Sequence, residues 1–415
     1  MLTRSALEIA QEQLLEAAQL AGASPEIVQL LAEPQRVLEV QFPVKMDNGT
    51  TKFFKGFRVH HNYVLGPIQG GTRFHPEETL EDIKALSLWM SIKNAVNQLP
   101  AGGGKGGIKC NPSELSKGEK ERLCRAYVRA IAPMLGAMKD FPGADIGTDI
   151  ETQSWMLDEW EQMHGMRHEP AAFSGKGLLL GGSAGRPSAT GLGVSLAVIE
   201  TCAKLGKNLA GLEVAVQGFG KVGSWAASLL SRKGAKIVGV SDIGGFIHNA
   251  NGLDPDALLK YTQEHNSVDG FPGGKSGAKE QIFSCPCDVL IPAAVQSAIS
   301  EDNASDIKAK IIVEGANGPI TPNAEKLLNE NGVVVVPDIL ANGGGTVIAY
   351  LERVQGTYNY YWTEKEVHIQ YEKMFKDIYN QLYSLSSQKK ISMRMAAWSI
   401  AISRIEEGVR LRGWI

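Results

Sequence analysis

The sequence predicts an α/β protein of two domains, and three observations predict it. Its 415 residues exceed what one ordinary hydrophobic core holds. Near residue 188 the texture changes from long helical stretches to short β-branched runs alternating with helices. Between one such run and the next helix stands a glycine-spaced turn, "GFGKVG". Composition excludes more than it selects. The chain is 43 % hydrophobic and 21 % charged, with 42 Lys plus Arg against 45 Asp plus Glu. A formal charge of −3 gives no reason to expect a nucleic-acid or membrane-surface partner. Five scattered cysteines fit reduced thiols in a cytoplasmic protein better than a disulfide framework. "CPC" at Cys285 to Cys287 lacks the further ligands of a zinc site, so buried thiols and no metal are expected.

In chain order, "LEIAQEQLLEAAQLAGA" reads as an amphipathic helix, because Glu8, Glu12 and Glu16 interrupt what a signal or transit peptide would leave free of acids. No apolar run approaches the roughly 18 residues of a membrane span. Residues 79 to 96 form a second helix. "SKGEKERLCRAYVRAIAPML" forms a third, with Ser116 and Glu119 at capping-box spacing. Thr148 and Glu151 repeat that spacing ahead of "SWMLDEW". A glycine-rich connection runs from Phe173 to Thr190. Beyond it, "LEVAVQ", "AKIVGVSD", "CDVLIP", "KIIVEGA" and "GVVVVPD" are apolar enough for a parallel sheet buried on both faces. Thr321 and Pro322 open the helix between the last two. After Gly345 the chain is helical to its end and could pack on either domain.

G-x-G-x-x-G occurs twice, and context separates the two occurrences. Gly102, Gly104 and Gly107 follow a helix and open none, so they read as a loop. Gly218, Gly220 and Gly223 follow the strand "EVAVQ" and open the helix "KVGSWAASLLSRKG". Gly218, Phe219, Gly220, Lys221, Val222 and Gly223 therefore place a pyrophosphate on a helix N-terminus, in a doubly wound Rossmann-type domain. Asp242 closes the next strand, where a ribose-binding acid belongs. No lysine or arginine lies between Lys236 and Lys260 to neutralise a 2′-phosphate, which favours NAD while leaving NADP possible.

The first domain carries cations in unusual places. In "TLEDIKALSLWMSIKNAV", Leu86, Trp89, Met90 and Val96 mark an apolar stripe, and Lys93 falls in the same register. Lys93 either snorkels from the stripe's edge or waits for an anionic substrate group. Lys105 follows twelve residues later, among glycines. Two neighbouring lysines would depress at least one pKa, giving a group able to exchange a proton near neutrality. Asp145, in "FPGADIGTD", is a proton partner if it lies close, and an ordinary turn aspartate if it does not.

Together, "GPIQGGTRFHPEETLEDIKALSLWMSIKNAVNQLPAGGGKGGI", "FPGADIGT", "GRPSATGLGV", "VAVQGFGKVG", "IIVEGANGPITPNAE", "VVPDILANGGG" and the closing "RGW" resemble, in order, the glutamate/leucine/phenylalanine/valine dehydrogenases. The resemblance runs from about Pro43 onward. It implies reversible, NAD(P)-dependent oxidative deamination of an L-amino acid to a 2-oxo acid and ammonium. It further implies Lys105 as catalytic lysine, Asp145 as proton shuttle, and Lys93 on the substrate α-carboxylate. Gln69, Gly70 and Ala349 fall along the substrate, and Thr190, Asn317 and Asn342 fall at the nicotinamide end. Domains at 1–188 plus about 365–415 and at 189–364 are implied, in a homo-hexamer.

Two positions depart from the glutamate members of that family. They typically carry lysine where Gln69 stands and serine where Ala349 stands, both contacting the side-chain carboxylate. A glutamine cannot neutralise a charge, and a desolvated carboxylate without a cation costs several kcal/mol. The pocket either prefers a neutral side chain or recruits another cation. Arg353, one helical turn past Ala349, is the candidate. A catalytically silent nucleotide-binding regulator is the reading from a different class. A 2-hydroxy-acid dehydrogenase would want a His–carboxylate pair, for which His60 and His61 offer no recognisable setting.

Overall fold

The structure, a computed structural model, describes residues 5–415. Two compact units emerge. One takes in residues up to 186 together with 346–370 and 398–415, and the other 187–345 and 371–397. The C-terminal course differs from the return expected near residue 365. The chain rejoins the first unit at Thr346, leaves it at Tyr371 and rejoins it at Trp398. The aromatic residues of the long helix that follows account for the departure. Tyr371 packs against Gly193 and Gly344, and the Tyr379 hydroxyl bonds Thr201 Oγ1 at 2.7 Å, all within the second unit.

The first unit opens with α1 (Ala6–Ala21), held by a capping box between Ser5 and Glu8, and α2 (Pro25–Ala32). Strands β1 (Arg36–Lys45), β2 (Thr51–Asn62) and β3 (Ile68–His75) follow, then α3 (Leu80–Val96), β4 (Gly102–Lys109), α4 (Lys117–Ile131), β5 (Asp140–Ala144) and α5 (Ile150–Met163). The five strands form one sheet in the order β1-β2-β4-β3-β5. β4 is antiparallel to β2 and parallel to β3. The glycine string is therefore a central strand and not the loop expected. The glycines are there for clearance, because neighbouring backbone and helix occupy the space a side chain would need. A Cβ on Gly70 would land on the carbonyl of Gly104, and one on Gly103 would land on the backbone of Ser91 in α3. α4 covers the opposite face, with the Tyr127 hydroxyl 2.6 Å from where a Gly106 Cβ would sit.

Two local expectations shift. α3 buries Ile83, Ala85, Leu88, Ile92, Ala95 and Val96, whereas Leu86, Trp89, Met90 and Lys93 share a half-buried face. Lys93 is thus beside the core and not in it. The cap of α5 is Asp149, which accepts from the Thr152 N–H at 3.0 Å, because Thr148 is engaged elsewhere.

The second unit contains α6 (Ala189–Lys204), β6 (Glu213–Gln217), α7 (Lys221–Arg232), β7 (Lys236–Ser241), β8 (Phe246–Leu253), α8 (Pro255–His265), β9 (Lys275–Gly277), β10 (Val289–Pro292), β11 (Ile311–Val313), α9 (Pro322–Glu330), β12 (Val334–Val336) and α10 (Asp338–Ala341). Its sheet runs β12-β11-β10-β6-β7-β8-β9. The five apolar runs read from the sequence are its parallel strands. β8 and β9 are antiparallel additions at one edge, and "FIHNANGL" is too polar to announce a strand. Both apolar faces of "IIV" and "VLIP" are buried, as a doubly wound sheet requires. α11 (Gly344–Tyr358), α12 (Glu364–Lys389) and α13 (Met393–Leu411) complete the chain. Among the described residues no helix is long and apolar enough to cross a membrane. All five cysteines are free, and burial pushes the thiols of Cys285 and Cys287 up to about 11 and about 12.

Candidate active site

Side chains alternate across a strand, so register decides what can meet. Gly71 lies beside Lys105 in the β3–β4 register and beside Gly143 in the β3–β5 register. Asp145 follows just beyond β5, and its Cβ sits 2.8 Å from where a Gly71 Cβ would be. A bare Gly71 lets that carboxylate reach across. Lys105 Nζ meets Asp145 Oδ2 at 2.5 Å. Thr148 fixes the loop behind it, accepting from the Asp145 N–H at 2.7 Å and donating to the Thr72 carbonyl at 3.0 Å. Lys105 is 6 % exposed. What faces it is a carboxylate, and the two form a lysine–aspartate pair.

Two further residues join this cluster. Arg73 Nε stands 3.5 Å from Asp145 Oδ2 and 3.9 Å from Glu78 Oε2. Burial alone would raise the Asp145 pKa, but the Lys105 ammonium and the Arg73 guanidinium outweigh it and hold the carboxyl below its usual value. For Glu78 burial wins over Arg73, pushing it up to about 7. Alternation in "GGTRF" was the only sequence signal for Arg73, and nothing in the sequence pointed to Glu78.

Glu78 makes a testable contribution to stability. A carboxyl with a raised folded pKa stabilises below its unfolded value near 4.5 and loses that contribution as pH rises through about 7. In denaturant titrations from pH 4 to pH 8, wild type should lose on the order of 3 kcal/mol more stability than Glu78→Gln across that window. Equal losses in the two proteins would remove Glu78 from the pH dependence.

Gln69 is buried, and its Nε2 donates to the Thr346 carbonyl at 2.7 Å. Ala349 is buried one turn before Arg353. Asn94 of α3 donates to the carbonyls of Gln69 and Gly102, pinning helix to sheet. Lys93 is on that same helix, two residues past the Ser91 that covers Gly103. His60 does have a carboxylate: its Nε2 meets Asp140 Oδ2 at 2.7 Å, and Arg58 grips the same acid. All three are buried. Pairing of His60 with Gly104 puts this triad on the sheet face opposite Lys105, where it ties strands together.

In the second unit Gly218 has φ +88° and closes against the Ala293 carbonyl after β10. β6 thus ends between β7 and β10, where the strand order reverses. A Gly223 Cβ would strike the Gly218 carbonyl, so the turn and α7 pack closely. Gly220 is different. It has φ −76°, and a Cβ there would meet nothing within 4 Å. Asn317 Oδ1 accepts from Asn342 Nδ2 at 2.8 Å, and Thr190 Oγ1 lies 3.5 Å from a Gly345 Cβ position. Asp242 is busier than a ribose acceptor need be. Its oxygens accept from the N–H groups of Gly244, Gly245 and Val268 and from the Ser267 hydroxyl.

The family model described as glutamate/leucine/phenylalanine/valine dehydrogenase matches residues 181–413, and the dimerisation domain of the same family matches residues 34–162. The chain belongs to this dehydrogenase family. An NAD-specific glutamate dehydrogenase of Staphylococcus aureus (strain COL) is 44 % identical over 399 residues, 96 % of each chain. Among solved structures, glutamate dehydrogenase from Peptoniphilus asaccharolyticus superposes with TM-score 0.91 at 38 % identity, covering 99 % of this chain and 100 % of that one. Hetero-hexameric glutamate dehydrogenase from Thermus thermophilus, in a leucine-bound form, gives 0.91 at 35 % identity over 97 % and 95 %. This dehydrogenase thus shares its two-domain fold with them along nearly its whole length.

Proposed function

We propose that the chain is an NAD-linked L-glutamate dehydrogenase, releasing 2-oxoglutarate and ammonium reversibly. The observation that carries the catalytic reading is the buried contact between Lys105 and Asp145. A silent regulator would have no use for such a pair, and the 44 % identical relative supplies the substrate and cofactor.

The residues fit a dinucleotide. Gly220 has room for a side chain and an ordinary φ, so folding does not require glycine there. Close approach of a pyrophosphate at the N-terminus of α7 does. Phe219, Lys221 and Val222 flank that approach, and Thr190, Asn317 and Asn342 take the nicotinamide end. Asp242 would share Oδ2, which holds one N–H, with the ribose. When bound, NAD accepts the hydride from Cα of the amino acid.

The chain's own groups do the rest. Lys93 holds the α-carboxylate. Asp145, kept anionic by Lys105 and Arg73, takes a proton from the α-amino group as the imine forms. Lys105 steadies the water that attacks the imine carbon and the oxygen that develops there. Carbon–nitrogen cleavage then leaves the 2-oxo acid and ammonium. Gln69, Gly70 and Ala349 line the side-chain end.

A panel of L-amino acids assayed against NAD and NADP tests this reading. L-Glutamate with NAD should give the highest kcat/KM, and no turnover with any amino acid would return the silent regulator. Gly220→Ala should raise KM for NAD at least about tenfold while the melting temperature stays close to wild type. An unchanged KM would remove the pyrophosphate from this turn. We infer a cytoplasmic homo-hexamer; the dimerisation-domain match and the hetero-hexameric relative support the hexameric assembly. Light scattering decides the assembly.

A further inference from the structure

Every other deeply buried cation discussed for the first unit has its carboxylate. Arg58 holds Asp140, Lys105 holds Asp145, and Lys176 holds Glu352 at 2.7 Å. Arg353 does not. It is 8 % exposed, its Cζ lies 4.6 Å over the Phe141 ring, and its hydrogen bond runs from Nη1 to the Ala137 carbonyl at 3.4 Å. Among the described residues no carboxylate lies within ion-pair distance of its guanidinium. Glu352, its neighbour in sequence, turns instead to Lys176 and the Gly175 N–H. Burial without a counter-ion holds the Arg353 pKa below the usual arginine value, with only Tyr350 opposing. A guanidinium offers five N–H donors in a planar fork, and most of these have no partner here.

Position gives the fork a purpose. Phe141, beneath Arg353, pairs with Gln69, and the β3–β4 and β3–β5 registers put the side chains of Gln69, Phe141 and Lys105 on one sheet face. Two residues along and two strands across, the Lys105 and Phe141 Cα atoms are on the order of 12 Å apart. An amino acid with Cα at Lys105 reaches toward Arg353 with its side chain. Gln69 cannot meet an acid there. The Thr346 carbonyl can only accept, so it fixes the amide with Nε2 toward itself, and Oε1 is left as a buried acceptor with no partner.

We propose that Arg353 is the specificity-determining cation of this dehydrogenase, receiving the side-chain carboxylate of a dicarboxylic amino acid in a two-bond fork. This rests on the L-glutamate reading given above, and it assigns the charge neutralisation that Gln69 and Ala349 cannot supply. Bidentate pairing also favours a planar carboxylate over a carboxamide of the same length.

The test compares kcat/KM for L-glutamate and L-norvaline, which lacks the side-chain carboxylate, in wild type, Arg353→Gln and Arg353→Met. The glutamate-to-norvaline ratio should fall about a hundredfold or more in both variants, chiefly through KM for glutamate. Glutarate, a dicarboxylate without the amino group, should raise the melting temperature of wild type and not of the variants. Both variants should fold, because the charge removed has no partner to strand. Should one fail to fold, the other carries the same reading. A ratio within threefold of wild type, in a protein whose best substrate is glutamate, would overturn the role of Arg353 alone. A wild type preferring norvaline would overturn the glutamate reading and this inference together.

Discussion

Lys105→Met should lower kcat for oxidative deamination by about 10³-fold while KM for NAD stays unchanged. Methionine fills nearly the same volume at a site only 6 % exposed, so the fold should persist. What disappears is the ammonium 2.5 Å from Asp145. The aspartate keeps Arg73, at 3.5 Å, and the Ile146 N–H, and its pKa should rise because the strongest opposing cation is gone. The acid limb of the residual rate profile should then move to higher pH. Stopped-flow production of NADH across pH 5 to 9 would show both effects. Undiminished turnover would remove Lys105 from the chemistry and with it the reaction proposed for the site.

Gly70→Ala should yield no folded enzyme, or one whose stability loss exceeds the 1–3 kcal/mol (about the usual range) of ordinary overpacking. The added methyl would fall on the Gly104 carbonyl. Neither partner is a flexible tip. Both are backbone of adjacent strands whose register also sets Gly71 beside Lys105. Relief therefore means parting β3 from β4, which opens the sheet where Asp145 crosses it. Gly118→Ala, in the first turn of α4, provides the contrast. There the nearest group is the movable end of Arg122 at 3.3 Å, and stability should change by less than about 1 kcal/mol. Soluble yield and thermal denaturation of the two variants measure the difference.

These glycines also explain where the sequence was hard to read. Strands are recognised by the alternation of their side chains, and "GGGKGG" has almost none to alternate, so β4 looked like a loop. The parallel strands of the second unit were legible for the opposite reason. Burial on both faces makes them unbroken apolar runs, whereas β8, in the antiparallel extension next to the edge strand β9, carries asparagines. α3 misled because it is buried on most sides, so no single stripe dominates and the apparent one, through Leu86 and Met90, is half-exposed. Thr148 and Asp149 are both good caps, and a tertiary bond to Thr72 chose between them. Lys105 and Asp145 could be singled out by residue type and setting. Arg73 and Glu78 could not, because their approach depends on a register that is not written locally. The isolation of Arg353 was hidden for the same reason, since a missing counter-ion is a property of the packed chain.

A strand with so little slack confines where novelty can enter. A side chain added in β4 has nowhere to go, because its glycines already touch their neighbours. Change can enter only at the side chains beside it, and those at 69, 349 and 353 are the ones proposed above to meet the substrate. On that proposal the reacting centre is held rigid by its own lack of space, and the choice of substrate falls to side chains that can be exchanged around it.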